Sequence, residues 1–128
     1  MVHGVLVDTS AWIETLRRDG DPEIRALVRA ATVEGRAVLC DLVLLELWNG
    51  AHGAGEQRLL RELERDLQKV PTPPGAWEVA IDLARTCRNA GVSVPATDLL
   101  IAACAEHHGL ELLHRDSHFD HIARARRP

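Results

Sequence analysis

The sequence predicts an α/β fold, a three-layer α/β/α sandwich whose short, mainly parallel sheet is flanked by helices. Three observations carry this. Val5–Val7, Ala37–Leu39 and Leu110–Leu113 are apolar runs of strand length. Between them lie longer stretches whose apolar residues recur at helical spacing. Strand and helix signals also alternate along the chain, the order that builds a parallel sheet with helices on both faces.

Val5-Leu6-Val7 reads as a short buried strand, and Thr9-Ser10 offers a cap for a helix through Ala11 to Leu16 that Gly20 closes. Asp21 caps the next helix with Pro22 in its first turn, and Ile24, Leu27, Val28 and Ala31 follow at helical spacing until Gly35. Ala37-Val38-Leu39 is the second strand. Asp41 is read as the cap of a helix carrying Leu44, Leu45 and Trp48. After Gly50, Gly53 and Gly55, an amphipathic helix is expected from about Glu56 to Gln68, with Leu59, Leu60, Leu63 and Leu67 on one face. The proline-rich Val70–Gly75 reads as a turn, with room for a short edge strand before it. Trp77, Ala80, Ile81 and Ala84 mark a further helix, and Pro95-Ala96-Thr97-Asp98 opens another that runs to Gly109. Leu110–Leu113 is the last strand, and Phe119 with Ile122 suggests a short final helix. No repeat or linker interrupts this pattern, which predicts one domain over residues 1–128.

Composition narrows the function classes. The chain is 46% hydrophobic and 27% charged, ordinary for a globular domain. No apolar run is long enough to span a membrane and no secretory leader is evident, so a cytoplasmic location is expected. Cys40, Cys87 and Cys104 form no paired motif and read as buried thiols. The formal net charge is −4, which argues against a general nucleic-acid coating protein. Four of the 19 acidic residues, however, sit where a cation would neutralise them; without these, acidic residues equal the 15 Lys and Arg in number.

Those four are Asp8, Glu46, Asp98 and Asp116. Asp8 ends the first strand and Asp116 follows the last, so both fall at the carboxyl edge of a parallel sheet, where α/β proteins form ligand sites. Glu46 sits in the apolar Leu44-Leu45-Glu46-Leu47-Trp48, and Asp98 leads into Leu99-Leu100-Ile101. Taken singly, each has a structural reading as a cap, a turn residue or a solvated side chain. Together they form a set of hard oxygen donors suited to Mg²⁺ or Mn²⁺. Such a site hydrolyses phosphodiesters by polarising the phosphate and activating water. Asp8 and Asp98 are the expected main metal ligands, with Asp116 completing the site directly or through water and Glu46 a ligand or a water-orienting group.

The same residues carry a resemblance. Val5-Leu6-Val7-Asp8-Thr9-Ser10-Ala11-Trp12-Ile13 resembles the opening of PIN-domain ribonucleases, and Leu45-Glu46-Leu47-Trp48-Asn49-Gly50 resembles their middle motif. Pro95 to Ala103 matches the third motif and Leu112 to Phe119 the fourth, with His114 at a position where the family usually has a small hydroxyl residue. The four follow the family's order and cover nearly the whole chain, which looks like a VapC-type toxin. The resemblance implies a PIN-like sandwich, Mg²⁺- or Mn²⁺-dependent endoribonuclease activity on RNA, homodimerisation, and inhibition by a small cognate VapB-like antitoxin.

Supporting residues are less defined. Thr9 and Ser10 either hydrogen-bond near the phosphate or cap a helix, with the cap preferred for Ser10. Asp120 is a weaker candidate for the site's rim. Arg115, Arg124, Arg126 and Arg127 lie beside the last acid and are candidate RNA contacts. His114, His118 and His121 do not make a structural zinc site, because no cysteine accompanies them. Competing readings are a Mg²⁺-dependent DNA nuclease or phosphatase and a non-catalytic PIN-fold binding module. An aspartyl-nucleophile phosphatase would need a second Asp where Thr9-Ser10 stands. A binding module would use Trp12, Trp48 and Trp77, although their spacing favours core packing.

Overall fold

The computed structural model describes residues 3–127; residues 1, 2 and 128 of the expected 1–128 domain lie outside the described residues. The first strand, β1 (Val5–Val7), leads through α1 (Thr9–Leu16) and α2 (Pro22–Val33) to β2 (Ala37–Cys40). Then α3 (Asp41–Asn49) and α4 (Gly53–Asp66) connect to β3 (Gln68–Val70). The chain continues through α5 (Pro74–Asn89) and α6 (Ala96–His107) to β4 (Glu111–Leu113) and ends in α7 (Ser117–Ala125).

The sheet order is β3-β2-β1-β4, and every pairing is parallel. Every residue of β1 and β2 is buried, which requires cover on both faces and explains their unbroken apolar runs. Strand order proceeds outward from β1 to β3 and then returns to the other side of β1. That reversal lies between β1 and β4, the position where open α/β sheets leave a crevice. Asp8 N, just past β1, donates to Leu113 O at 2.9 Å, so the two strand ends stay in register up to the crevice.

Local chemistry sets the element ends. Asp21 accepts a bond from Glu23 N and Pro22 occupies the first turn of α2, as its sequence predicts. Gly35 and Gly109 adopt left-handed φ of 72° and 65°, just after α2 and α6. There the chain turns into β2 and towards β4, closing with Arg36 N to Ala31 O and Leu110 N to Ala105 O, both 2.8 Å.

Three expectations change. Asp41 is the first residue of α3 and not its cap; Cys40 holds that position with no side-chain bond, and Asp41 instead pairs with Lys69 of β3 at 3.0 Å. The amphipathic helix stops at Asp66, because Gln68–Val70 pairs with β2 as a full edge strand. Of the three tryptophans only Trp12 is fully buried: Trp48 donates to Glu64 at the surface and Trp77 is 53% exposed. In α5 the buried face is Ala76, Ala80, Leu83 and Cys87, which leaves Trp77 and Ile81 outside. No described helix is long and apolar enough to cross a membrane.

Candidate metal centre

Asp8 caps α1 directly above β1. Its Oδ2 accepts Ser10 N at 3.0 Å and Ser10 Oγ at 2.6 Å. Its Oδ1 is buried and has no hydrogen-bond partner among the described residues, in a side chain only 3% exposed. A buried carboxylate oxygen left bare is costly unless a cation compensates it.

Among the described residues Asp98, Asp116 and His118 bring ligand atoms within 4.8 Å of one another, while Asp8 and Glu46 stand outside that group and are tied to it through neighbours. Glu46 projects from α3, and its Oε1 accepts Thr9 Oγ1 at 2.8 Å, tying α3 to α1. Asp98 lies in the first turn of α6 and is 8% exposed. Asp116 caps α7, its Oδ1 accepting His118 N at 2.9 Å. Burial pushes the Glu46 carboxyl above its ordinary range, and the charges of Asp8, Asp98 and Asp116 add to the rise while Thr9 opposes it. Burial likewise raises Asp98, with Asp116 and Asp8 adding repulsion that the His118 contact only partly offsets. Glu46 and Asp98, raised in part by the neighbouring acids, and the bare buried oxygen of Asp8 fit a hard divalent cation.

The supporting residues divide. Thr9 holds Glu46. Ser10 is not the helix cap, a place Asp8 takes; its hydroxyl donates to Asp8 and accepts Arg115 N at 2.9 Å, so it ties the first acid to the turn before the fourth. Removing that bridge in Ser10→Ala should weaken Mg²⁺ binding roughly tenfold, as loss of ligand-orienting groups does. Titration calorimetry would read the change, and an unaltered affinity would confine Ser10 to folding. Asp120 is exposed in the first turn of α7, where its charge suits the helix dipole. The Arg115 side chain pairs with Asp21, and Arg126 forms a two-pronged pair with Glu106 at 2.8 and 3.0 Å. Arg124 and Arg127 remain exposed.

His118, set aside in the sequence with His114 and His121 as no structural zinc site, stands beside two of the acids. His118 Nδ1 lies 2.8 Å from Asp98 Oδ2 and 3.1 Å from Asp116 Oδ1. Its place in the first turn after an N-capping Asp was the available signal.

The PIN domain family matches residues 5–125, nearly the whole chain. The chain belongs to the PIN-domain family. Within it, Ribonuclease VapC11 of Mycobacterium tuberculosis is 34% identical over 125 residues, covering 94% of this chain and 92% of that protein. Among solved structures, a DNA-bound VapBC from Salmonella typhimurium superposes with a TM-score of 0.78 at 20% identity, covering 94% and 93% of the two chains. A toxin–antitoxin complex from Klebsiella pneumoniae gives 0.71 at 19% identity, covering 89% and 88%. The PIN fold is therefore shared, and in this chain Asp8 follows β1 and Asp116 follows β4 at the carboxyl edge of the sheet.

Proposed function

We propose that this PIN domain, a single domain over residues 1–128, is a VapC-type endoribonuclease, the toxin of a toxin–antitoxin pair, and depends on Mg²⁺ or Mn²⁺. The carrying observation is the four-carboxylate pole with its bare buried Asp8 oxygen, in a chain 34% identical to Ribonuclease VapC11. Asp8, Asp98 and Asp116 would hold the cation. A divalent cation bound there supplies Lewis acidity toward a phosphate oxygen and toward water. Glu46, fixed through Oε1 by Thr9, keeps its other oxygen for orienting the attacking water and taking its proton. Its raised carboxyl pKa suits that role better than an ordinary carboxylate would.

Arg124 and Arg127, both exposed, are the arginines left to steer an RNA backbone, whereas Arg115 is paired with Asp21 and Arg126 with Glu106. The partners on this reading are RNA, a small VapB-like antitoxin and a second copy of the chain, in the cytoplasm.

Incubation of the antitoxin-free protein with a panel of folded RNAs in Mg²⁺, Mn²⁺ or chelator tests this directly. Discrete cuts that require metal and vanish in Asp8→Asn support the reading. Absence of cleavage with metal-loaded, folded protein across cellular RNA would favour the binding module. Uptake of Mg²⁺ by the metal-free protein should also weaken on acidification, and should begin to weaken above the ordinary carboxylate range near pH ~4. Burial and mutual repulsion hold the Glu46 and Asp98 carboxyls above that range before metal binds, and only the charged forms hold metal. A Mg²⁺ affinity flat down to that range would contradict it.

A further inference from the structure

We propose that His118 Nδ1 is itself a metal ligand in this chain, which turns an all-oxygen centre into a mixed nitrogen–oxygen one that prefers Mn²⁺ to Mg²⁺. The inference rests on the metal reading above and adds a donor to it. Asp98, Asp116 and His118 each offer one ligand atom, all within 4.8 Å of one another. Two of the separations, 2.8 and 3.1 Å, are those of neighbouring donors around one ion. Donors about 2.1 Å from a cation and at right angles to each other stand about 3.0 Å apart.

The backbone fixes this arrangement. Asp116 caps α7 and binds the His118 amide, so the imidazole is held in the helix's first turn, facing the first turn of α6 where Asp98 sits. Asp8, linked through the Ser10 hydroxyl to the Arg115 amide beside Asp116, carries a bare, buried oxygen that independently calls for a cation. Imidazole is a softer donor than carboxylate and favours first-row transition ions over Mg²⁺, which prefers oxygen and retains its water. The competing role for His118 is that of an outer hydrogen-bond donor that only orients Asp98.

Binding of Mn²⁺ and of Mg²⁺ alone, by calorimetry, combined with spin-echo spectroscopy of the Mn²⁺ complex, separates the two roles. Wild-type protein should bind Mn²⁺ more tightly than Mg²⁺ and show nitrogen hyperfine coupling from a directly bound imidazole. His118→Asn preserves a donor towards Asp98 but not the imidazole. It should lose the coupling and weaken Mn²⁺ at least about tenfold while Mg²⁺ affinity changes little. His118→Ala, checked for an unchanged circular dichroism spectrum, should behave the same way. Mn²⁺ binding without nitrogen coupling, or full retention in His118→Asn, overturns the proposal and leaves the carboxylate centre standing. No binding of either metal to the wild-type protein overturns both.

Discussion

Asp98→Asn is expected to cut cleavage by roughly a thousandfold or more and, in the absence of metal, to raise Tm. The first effect follows from losing a central ligand, since metal electrophilic stabilisation amounts to several kcal/mol and each ~1.4 kcal/mol is tenfold in rate. The second follows from linkage. Asp98 and Glu46 have folded-state pKa values above their unfolded ones, so the folded chain binds more protons than the unfolded chain between those values. Metal-free stability therefore falls as pH rises through that window and stays low at neutral pH. A neutral amide at position 98 removes part of the penalty, and bound cation removes it in the wild type. Mg²⁺ at about a hundred times its Kd should add about 2.7 kcal/mol, a rise in Tm of about 10 °C. Thermal melts of both proteins with chelator and with Mg²⁺ check this. An Asp98→Asn protein that melts well below wild type in chelator would show that the carboxylate stabilises the fold and is not held there against repulsion.

Gly20→Ala is expected to be the most damaging single methyl group in the chain. Gly20 is buried where α1 turns into α2, and an added Cβ would stand 1.7 Å from Glu14 O and 2.7 Å from Glu14 C. These are backbone atoms, so relief requires rebuilding the connection and not a rotamer change. Three contacts depend on it: Asp21 N donates to Glu14 Oε1 at 3.0 Å, Asp21 caps α2, and Asp21 pairs with Arg115 beside the fourth acid. Overpacking of this kind costs about 3 kcal/mol, or about 10 °C in Tm for a domain of this size. An unchanged melting curve would mean that the connection is looser than its contacts imply.

The parts of this protein legible in its sequence are those whose signal is local or repeated. Val5–Val7 and Ala37–Leu39 are continuous apolar runs because both sheet faces are covered, and Asp21-Pro22 states a helix start outright. The positions of Asp8 and Asp116 were legible, since both follow strands whose ends share one edge in a parallel sheet. The third strand was blurred because Gln68 and Lys69 are exposed and only Val70 is buried, too little for alternation to register. Trp77 misleads for a related reason: small residues, Ala76 and Ala80, face the tightly packed α6, and the large ring is left outside. The roles of Ser10 and His118 depend on contacts across 105 and 20 residues of sequence, which no spacing rule contains.

The pairing of β1 with β4 joins Val5 to Glu111. During synthesis the chain emerges from its amino end, and long-range strand pairing must wait for its distant partner. Asp8 and Glu46 are therefore made long before Asp98 and Asp116, and they have no pole to join until the last strand arrives. A fragment ending at residue 108 should cleave nothing at any metal concentration. For an enzyme that attacks RNA, this order of assembly delays the centre until β4 and the start of α7 have been made and have paired with the first strand.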